Sequence, residues 1–158
     1  MIKLLRVDHR LLHGQVAFSW TNALQADCIL IANDAIMNDD IKKTAVKLAK
    51  PAGIKLVIKN IKDSVEALNS GVTEKYKLFI IVESVKDANE IVSKVKAIKS
   101  INLGGTKSAP DKMQISKAIF ITNEELNMLK EIESNGIEVE IRQVPGDKKL
   151  TIKEINKL

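Results

Sequence analysis

The chain has 158 residues, 45% hydrophobic and 28% charged, a size and balance that predict one folded unit over residues 1–158 with a core that needs no disulfide. The formal charge is +5, yet only three of the 25 basic residues are arginines (Arg6, Arg10 and Arg142) and aromatics make up 3%; dispersed lysines without stacking surfaces argue against nucleic-acid binding. No apolar run has membrane-span length, the opening Met1-Ile2-Lys3-Leu4-Leu5-Arg6 lacks a signal-peptide pattern, and the lone Cys28 excludes an intrachain disulfide or a cysteine metal cluster, which together point to the cytoplasm.

In chain order, residues 2–7 read as a first strand and 15–24 as a helix with Val16, Ala17, Trp20, Ala23 and Leu24 on one face. Residues 28–32 are apolar throughout, the mark of a strand covered on both sides. Asn38 or Asp39 caps a second helix that turns Ile41, Ala45, Leu48 and Ala49 inward and ends at Pro51 and Gly53. Residues 54–58 form the third strand, and a weaker helix through Val65 and Leu68 closes at Gly71. A fourth strand over 78–82 precedes Ser84 and a helix with Ala88, Ile91, Val92 and Val95 on one stripe. Residues 100–103 are a short fifth strand from which Gly104-Gly105 opens a loop, and within 113–121 the run 118–121 is a small extra strand. Thr122 and Glu125 fit a capping box for a helix with Leu126, Leu129 and Ile132 inward, stopping near Gly136. An alternating strand over 137–141, a turn at Pro145-Gly146-Asp147 and a short terminal helix complete the chain. This alternation predicts an α/β fold: an open, mostly parallel twisted sheet with helices on both faces and right-handed crossovers.

Both histidines and two of the three arginines fall within Arg6-Val7-Asp8-His9-Arg10-Leu11-Leu12-His13-Gly14-Gln15-Val16. The stretch leaves the first strand at its carboxyl end, where open α/β sheets place their sites. Imidazole supplies a nucleophile at neutral pH, guanidinium a planar fork for phosphate oxygens, and the amides of a helix start at Gln15 and Val16 a further anion cradle. A loop histidine also serves simply to cap or pack. The spacing of His9 and His13 suits a shared metal only on a helix, and no third ligand besides Asp8 lies close in sequence. Asp8 orients a histidine or caps the loop, and Trp20 belongs to the core. The loops Asn33-Asp34-Ala35 and Asn102-Leu103-Gly104-Gly105 leave other strands at the same edge and are expected to converge on the same pocket.

The run from Arg6 to Val16, followed by Trp20, resembles the phosphorylation-site signature of the IIB subunits of the mannose/fructose/sorbose family of the bacterial phosphotransferase system. Asn33-Asp34, Ile101-Asn102-Leu103-Gly104-Gly105, Gln114-Ile115 and Gly136-Ile137-Glu138-Val139 support it over nearly the whole chain. The resemblance implies a protein-N(pi)-phosphohistidine–sugar phosphotransferase. His13 would accept a phosphoryl group on Nδ1 from a IIA donor and pass it to the 6-hydroxyl of a sugar delivered by the membrane IIC/IID subunits. Arg10 would stabilise the phosphoryl group, and Asp8, His9, Gly14, Gln15, Val16, Asn33, Asp34 and Gly104 would support the site. It further implies no metal or cofactor, a homodimer, and a cytoplasmic protein held at the membrane permease; with the first strand starting at residue 2, the IIA donor is expected to be a separate polypeptide. His9 stands where many relatives carry an acid. The rival reading is a non-catalytic α/β module that binds an anion or sugar phosphate at the same loop. Phe18, off the apolar stripe of its helix, is a candidate partner-facing side chain.

Overall fold

The first four strands each hand over to a helix, and the chain winds back and forth across one sheet. The computed structural model describes residues 1–155, so the last three residues of the expected unit lie outside the described residues. The strands are β1 (Ile2–Asp8), β2 (Cys28–Ala32), β3 (Lys55–Lys59), β4 (Leu78–Val82), β5 (Ser100–Gly105), β6 (Met113–Ser116), β7 (Ile119–Ile121), β8 (Glu138–Ile141) and β9 (Leu150–Thr151). The helices are α1 (Gly14–Leu24), α2 (Asp40–Ala49), α3 (Ile61–Ser70), α4 (Val85–Lys94), α5 (Asn123–Ser134) and α6 (Ile152–Ile155), with a 3-10 turn at Ala35–Asn38.

Seven strands form a sheet in the order β3-β2-β4-β1-β5-β8-β9. Its pairs are parallel except for β8 with β9, and β6 and β7 make a separate antiparallel hairpin. The strands are apolar on both faces because both are covered. On one face Leu4, Ile29, Ile31, Phe79 and Ile81 pack with Ala17 and Trp20 of α1 and Val46 of α2. On the other, Leu5, Val7, Leu30, Ile80, Val82, Ile101 and Val139 pack with α3, α4, α5 and α6. The connection leaving β1 therefore crosses one face and the one leaving β4 crosses the other, which opens a crevice at the carboxyl ends of these neighbours.

Side chains punctuate the helices as their sequence implies. Asp39 accepts the Lys42 amide at 2.9 Å, Asn60 that of Asp63 at 2.7 Å and Ser84 that of Asp87 at 3.2 Å. Thr122 and Glu125 form the expected reciprocal box.

Three expectations are corrected. Gly104 and Gly105 do not open a loop: they continue β5 and are buried. The expected small extra strand is present as β7, paired with β6. Ala23 is exposed, and the buried positions of α1 are Ala17, Trp20 and Thr21. Helix α2 is rotated from the expected phase, with Ile41 86% and Leu48 82% exposed, Ala45 also outward and Val46 buried. The period of its apolar residues is helical, but the phase is set by what precedes them. Ile36 is fully buried in the 3-10 turn and Asp39 caps immediately after it, which turns Val46 onto the sheet.

Candidate functional site

Strand alternation sends Arg6 and Asp8 of β1 to the same face as Leu4, and there they meet polar partners. Arg6 stands in register with Asn102 of β5, and Asn102 with Glu140 of β8. All four side chains are buried. Arg6 donates from Nη2 and Nε to Asp8 Oδ2 at 3.0 and 3.3 Å, and from Nη1 to Asn102 Oδ1 at 2.7 Å. Asn102 Nδ2 donates to the Arg142 carbonyl at 3.0 Å and to Glu140 Oε1 at 3.3 Å. Arg142 Nη2 donates to Glu140 Oε1 at 3.2 Å, while its Nε faces Glu140 Oε2 at 3.2 Å as a charge contact without hydrogen-bond alignment. Trp20 closes the row from above. Its indole N–H donates to the Gln143 carbonyl at 3.0 Å, and the Arg6 and Arg142 guanidinium carbons lie 5.4 and 5.0 Å from its ring centroid.

Gly104 belongs to this arrangement. It sits on β5 two residues beyond Asn102, and a Cβ built there would fall inside the Arg6 guanidinium. Its φ is not in the left-handed region, so the residue type answers to space and not to backbone conformation.

The loop after β1 folds around Asp8. The Arg10 amide donates to Asp8 Oδ1 at 3.0 Å, an Asx-type turn, and the Leu11 amide to the Asp8 carbonyl at 2.9 Å. Leu11 is buried at φ +59, and Gly14 holds φ +44, a left-handed value that a glycine takes without strain. The chain so bent presents His13 as the N-cap of α1. His13 makes no side-chain cap bond, so the first-turn amides of Gly14, Gln15 and Val16 are not spent on it. Its Nε2 lies 2.9 Å from Asp8 Oδ2.

The charges of this cluster are fixed by their neighbours. Burial alone would raise the Asp8 pKa, but the bond to His13, the Arg6 charge and the Arg10 amide outweigh it and hold the carboxyl below the usual carboxylate range. Burial draws the Arg6 pKa below its ordinary value, against the opposing pull of Asp8 and Glu140. An ionised Asp8 only accepts hydrogen bonds, so the His13 nitrogen facing it is Nε2–H and the lone pair of the neutral ring lies on Nδ1.

The remaining sequence candidates are dispersed. Arg10, Gly14 and Gln15 are exposed beside His13, Val16 is half-buried, and Arg10 forms no ion pair among the described residues. His9 turns into a separate cleft with Lys42, Glu83, Ser84, Thr106 and Lys107, its Nδ1 buried without a partner. Asn33 and Asp34 serve the fold: Asn33 Oδ1 accepts the Ile36 amide of the 3-10 turn at 2.8 Å, and Asp34 Oδ1 the Ile61 amide at the start of α3 at 2.9 Å. Strand β4 stands between β2 and β1, so the loop after β4 lines the His9 cleft where the loop after β2 was expected. No group of three or more His, Cys, Asp or Glu side chains converges as a metal ligand set among the described residues. Asn102, Glu140 and Arg142 were not singled out as a constellation by sequence; their one signal is polar residues at alternate positions of otherwise apolar strands.

The mostly parallel α/β sheet thus sets an N-cap histidine at its carboxyl edge against an ionised carboxylate. Comparison with known proteins gives the family. The model of the PTS system sorbose subfamily IIB component matches residues 2–158. A probable phosphotransferase enzyme IIB component of Streptococcus pyogenes serotype M6 is 36% identical over 85% of this chain and 85% of its own length. The sorbose-specific EIIB component of Lacticaseibacillus casei is 31% identical over 93% of this chain and 90% of its own. The crystal structure of the IIBSor domain of the Klebsiella pneumoniae sorbose permease superposes with a TM-score of 0.93 at 27% identity, covering 99% of this chain and 97% of that one. The chain belongs to the sorbose-subfamily IIB components of the phosphotransferase system and is a phosphocarrier in sugar uptake.

Proposed function

We propose that His13 is the residue that carries the phosphoryl group, through Nδ1. The observation that carries this reading is the 2.9 Å contact of Nε2 with a buried, ionised Asp8, which leaves Nδ1 as the nucleophilic nitrogen. The Nδ1 lone pair forms the new N–P bond as the bond to the donor phosphohistidine breaks. The ring becomes cationic, and Asp8 lies against its N–H to balance the charge. In the second half, a sugar hydroxyl attacks phosphorus, the N–P bond returns its electron pair to Nδ1, and the ring can take the hydroxyl proton. Phosphoryl transfer of this kind asks for in-line access and positive surroundings more than for covalent help. Arg10, exposed beside His13, and the open amides of the first turn of α1 meet that demand.

The donor is a IIA protein and the acceptor sugar comes from membrane IIC/IID subunits, so the carrier works in the cytoplasm against the permease. No helix of the described residues is long and apolar enough to cross a membrane. Phe18, one turn into α1 and 60% exposed, is the apolar contact that both partners meet in turn. The test is intact-protein mass after incubation with phosphoenolpyruvate, enzyme I, HPr and a IIA protein of this family. One acid-labile phosphoryl addition is expected on the wild type and none on His13→Ala, with the circular dichroism of the two unchanged. A variant that is charged like the wild type removes His13 from the role.

A further inference from the structure

The buried row of Arg6, Asn102 and Glu140 lies where apolar residues would do for stability. On the same face, the neighbouring strands β2 and β4 present Ile29, Ile31, Phe79 and Ile81. Burying a guanidinium instead carries a desolvation cost that ion pairing offsets only with good geometry. The geometry here is directed at one atom. Two N–H groups of Arg6 converge on Asp8 Oδ2, the oxygen that also faces His13 Nε2. From the far side, Asn102 Oδ1 at 2.7 Å and the Arg142 carbonyl at 3.4 Å hold Nη1. The guanidinium is thus clamped between β5 and Asp8, and its face occupies the space that a Cβ at position 104 would need.

We propose that Arg6 is a positioning residue for phosphoryl transfer, admitted to its place by the missing side chain of Gly104. It rests on the reading of His13 as the phosphoryl acceptor. Arg6 acts through Asp8: it fixes the carboxylate in one rotamer, and the carboxylate so fixed holds the His13 ring as the Nε2–H tautomer. Without it, Asp8 keeps the Arg10 amide on Oδ1 but loses both donors that aim Oδ2, and the ring is free to present either nitrogen. A lysine cannot replace the fork, because an ammonium does not reach Asp8 and Asn102 with paired, coplanar donors.

Gly104→Ala tests this without substituting any charged residue, since it adds one methyl group against the guanidinium. Four proteins are compared: wild type, Gly104→Ala, Arg6→Lys and the double variant. The His13 tautomer is read from ring 15N shifts in the uncharged protein, the phosphohistidine isomer from 31P NMR, the charging rate from phospho-IIA, and stability from thermal unfolding. The wild type is expected to show the Nε2–H tautomer and Nδ1-phosphohistidine alone. Gly104→Ala is expected to bring in the other tautomer and some Nε2-phosphohistidine, with charging slowed about tenfold. In the Arg6→Lys background the added methyl group is expected to change the rate less than about twofold, because the group it displaces is gone. A Gly104→Ala protein whose melting temperature falls while tautomer, isomer and rate stay as in the wild type overturns the proposal and leaves Arg6 a structural residue. So does a fully additive double variant. A wild type that accepts no phosphoryl group at all is a different failure, that of His13 as carrier, and the tautomer measurement still reads the action of Arg6.

Discussion

Arg6 and Arg10 stand four residues apart and carry the same group into opposite surroundings. Arg6 is 1% exposed and fully engaged, whereas Arg10 gives the fold its backbone amide and leaves its side chain in solvent. Substituting Arg10 should therefore leave stability alone and act on transfer. Arg10→Lys is expected to slow charging from phospho-IIA by at least about tenfold with an unchanged melting temperature, because a point charge does not span two phosphate oxygens. Asp8 behaves in the opposite way. Its removal leaves Arg6 as a buried charge without its main partner, so Asp8→Ala is expected to cost about 3–5 kcal/mol in urea unfolding, where His13→Ala costs little. Much of this was legible in the sequence: the histidine, the arginine beside it and the glycine that turns the chain form one run. The row behind it was not, because Asn102, Glu140 and Arg142 lie far along the chain and only strand register brings them beside Arg6.

At the scale of elements, the strands were the legible part. The runs 28–32 and 78–82 are apolar enough to announce themselves, and their bounds coincide with β2 and β4. Helix α2 shows what periodicity leaves open. Ile41, Ala45 and Leu48 share one stripe, but a stripe does not say which way it faces, and the 3-10 turn before it decides. Its energetics should follow the observed phase. Ile41→Ser and Leu48→Ser are each expected to change unfolding free energy by less than about 0.5 kcal/mol, while Val46→Ala costs about 2 kcal/mol, as urea titration would show. Gly104 and Gly105 illustrate a second gap. Paired glycines read as a turn, yet here they are strand residues, one of them excluded from carrying a side chain by a guanidinium from the adjacent strand.

For the molecule as a whole, parallel strands gather acids as well as the site at one edge. Asp87, in the first turn of α4, has its pKa pushed up to about 6 by burial and the nearby Glu83 charge, with Asp34 and Glu90 adding and its bond to Ser84 opposing. The folded value lies above that of an unfolded aspartate, so the unfolded chain loses its proton first. Stability is therefore expected to fall as pH rises from about 4 to about 6 on this group's account. Asp87→Asn should raise the melting temperature at pH 8 by roughly 2–4 °C, since solvent screens this half-buried group, and bring no gain at pH 4.

The chain holds one tryptophan, and it is Trp20, 1% exposed and bracketed by the guanidinium groups of Arg6 and Arg142. The protein therefore contains a fluorophore that needs no labelling and that sits on the polar row rather than in a remote part of the core. Its emission is set by two cations and one carbonyl, so any substitution that shifts Arg6 should change its intensity or wavelength even where the fold is intact. Gly104→Ala should give such a change in a fluorimeter, and Ile41→Ser, on a helix face turned to solvent, should give none.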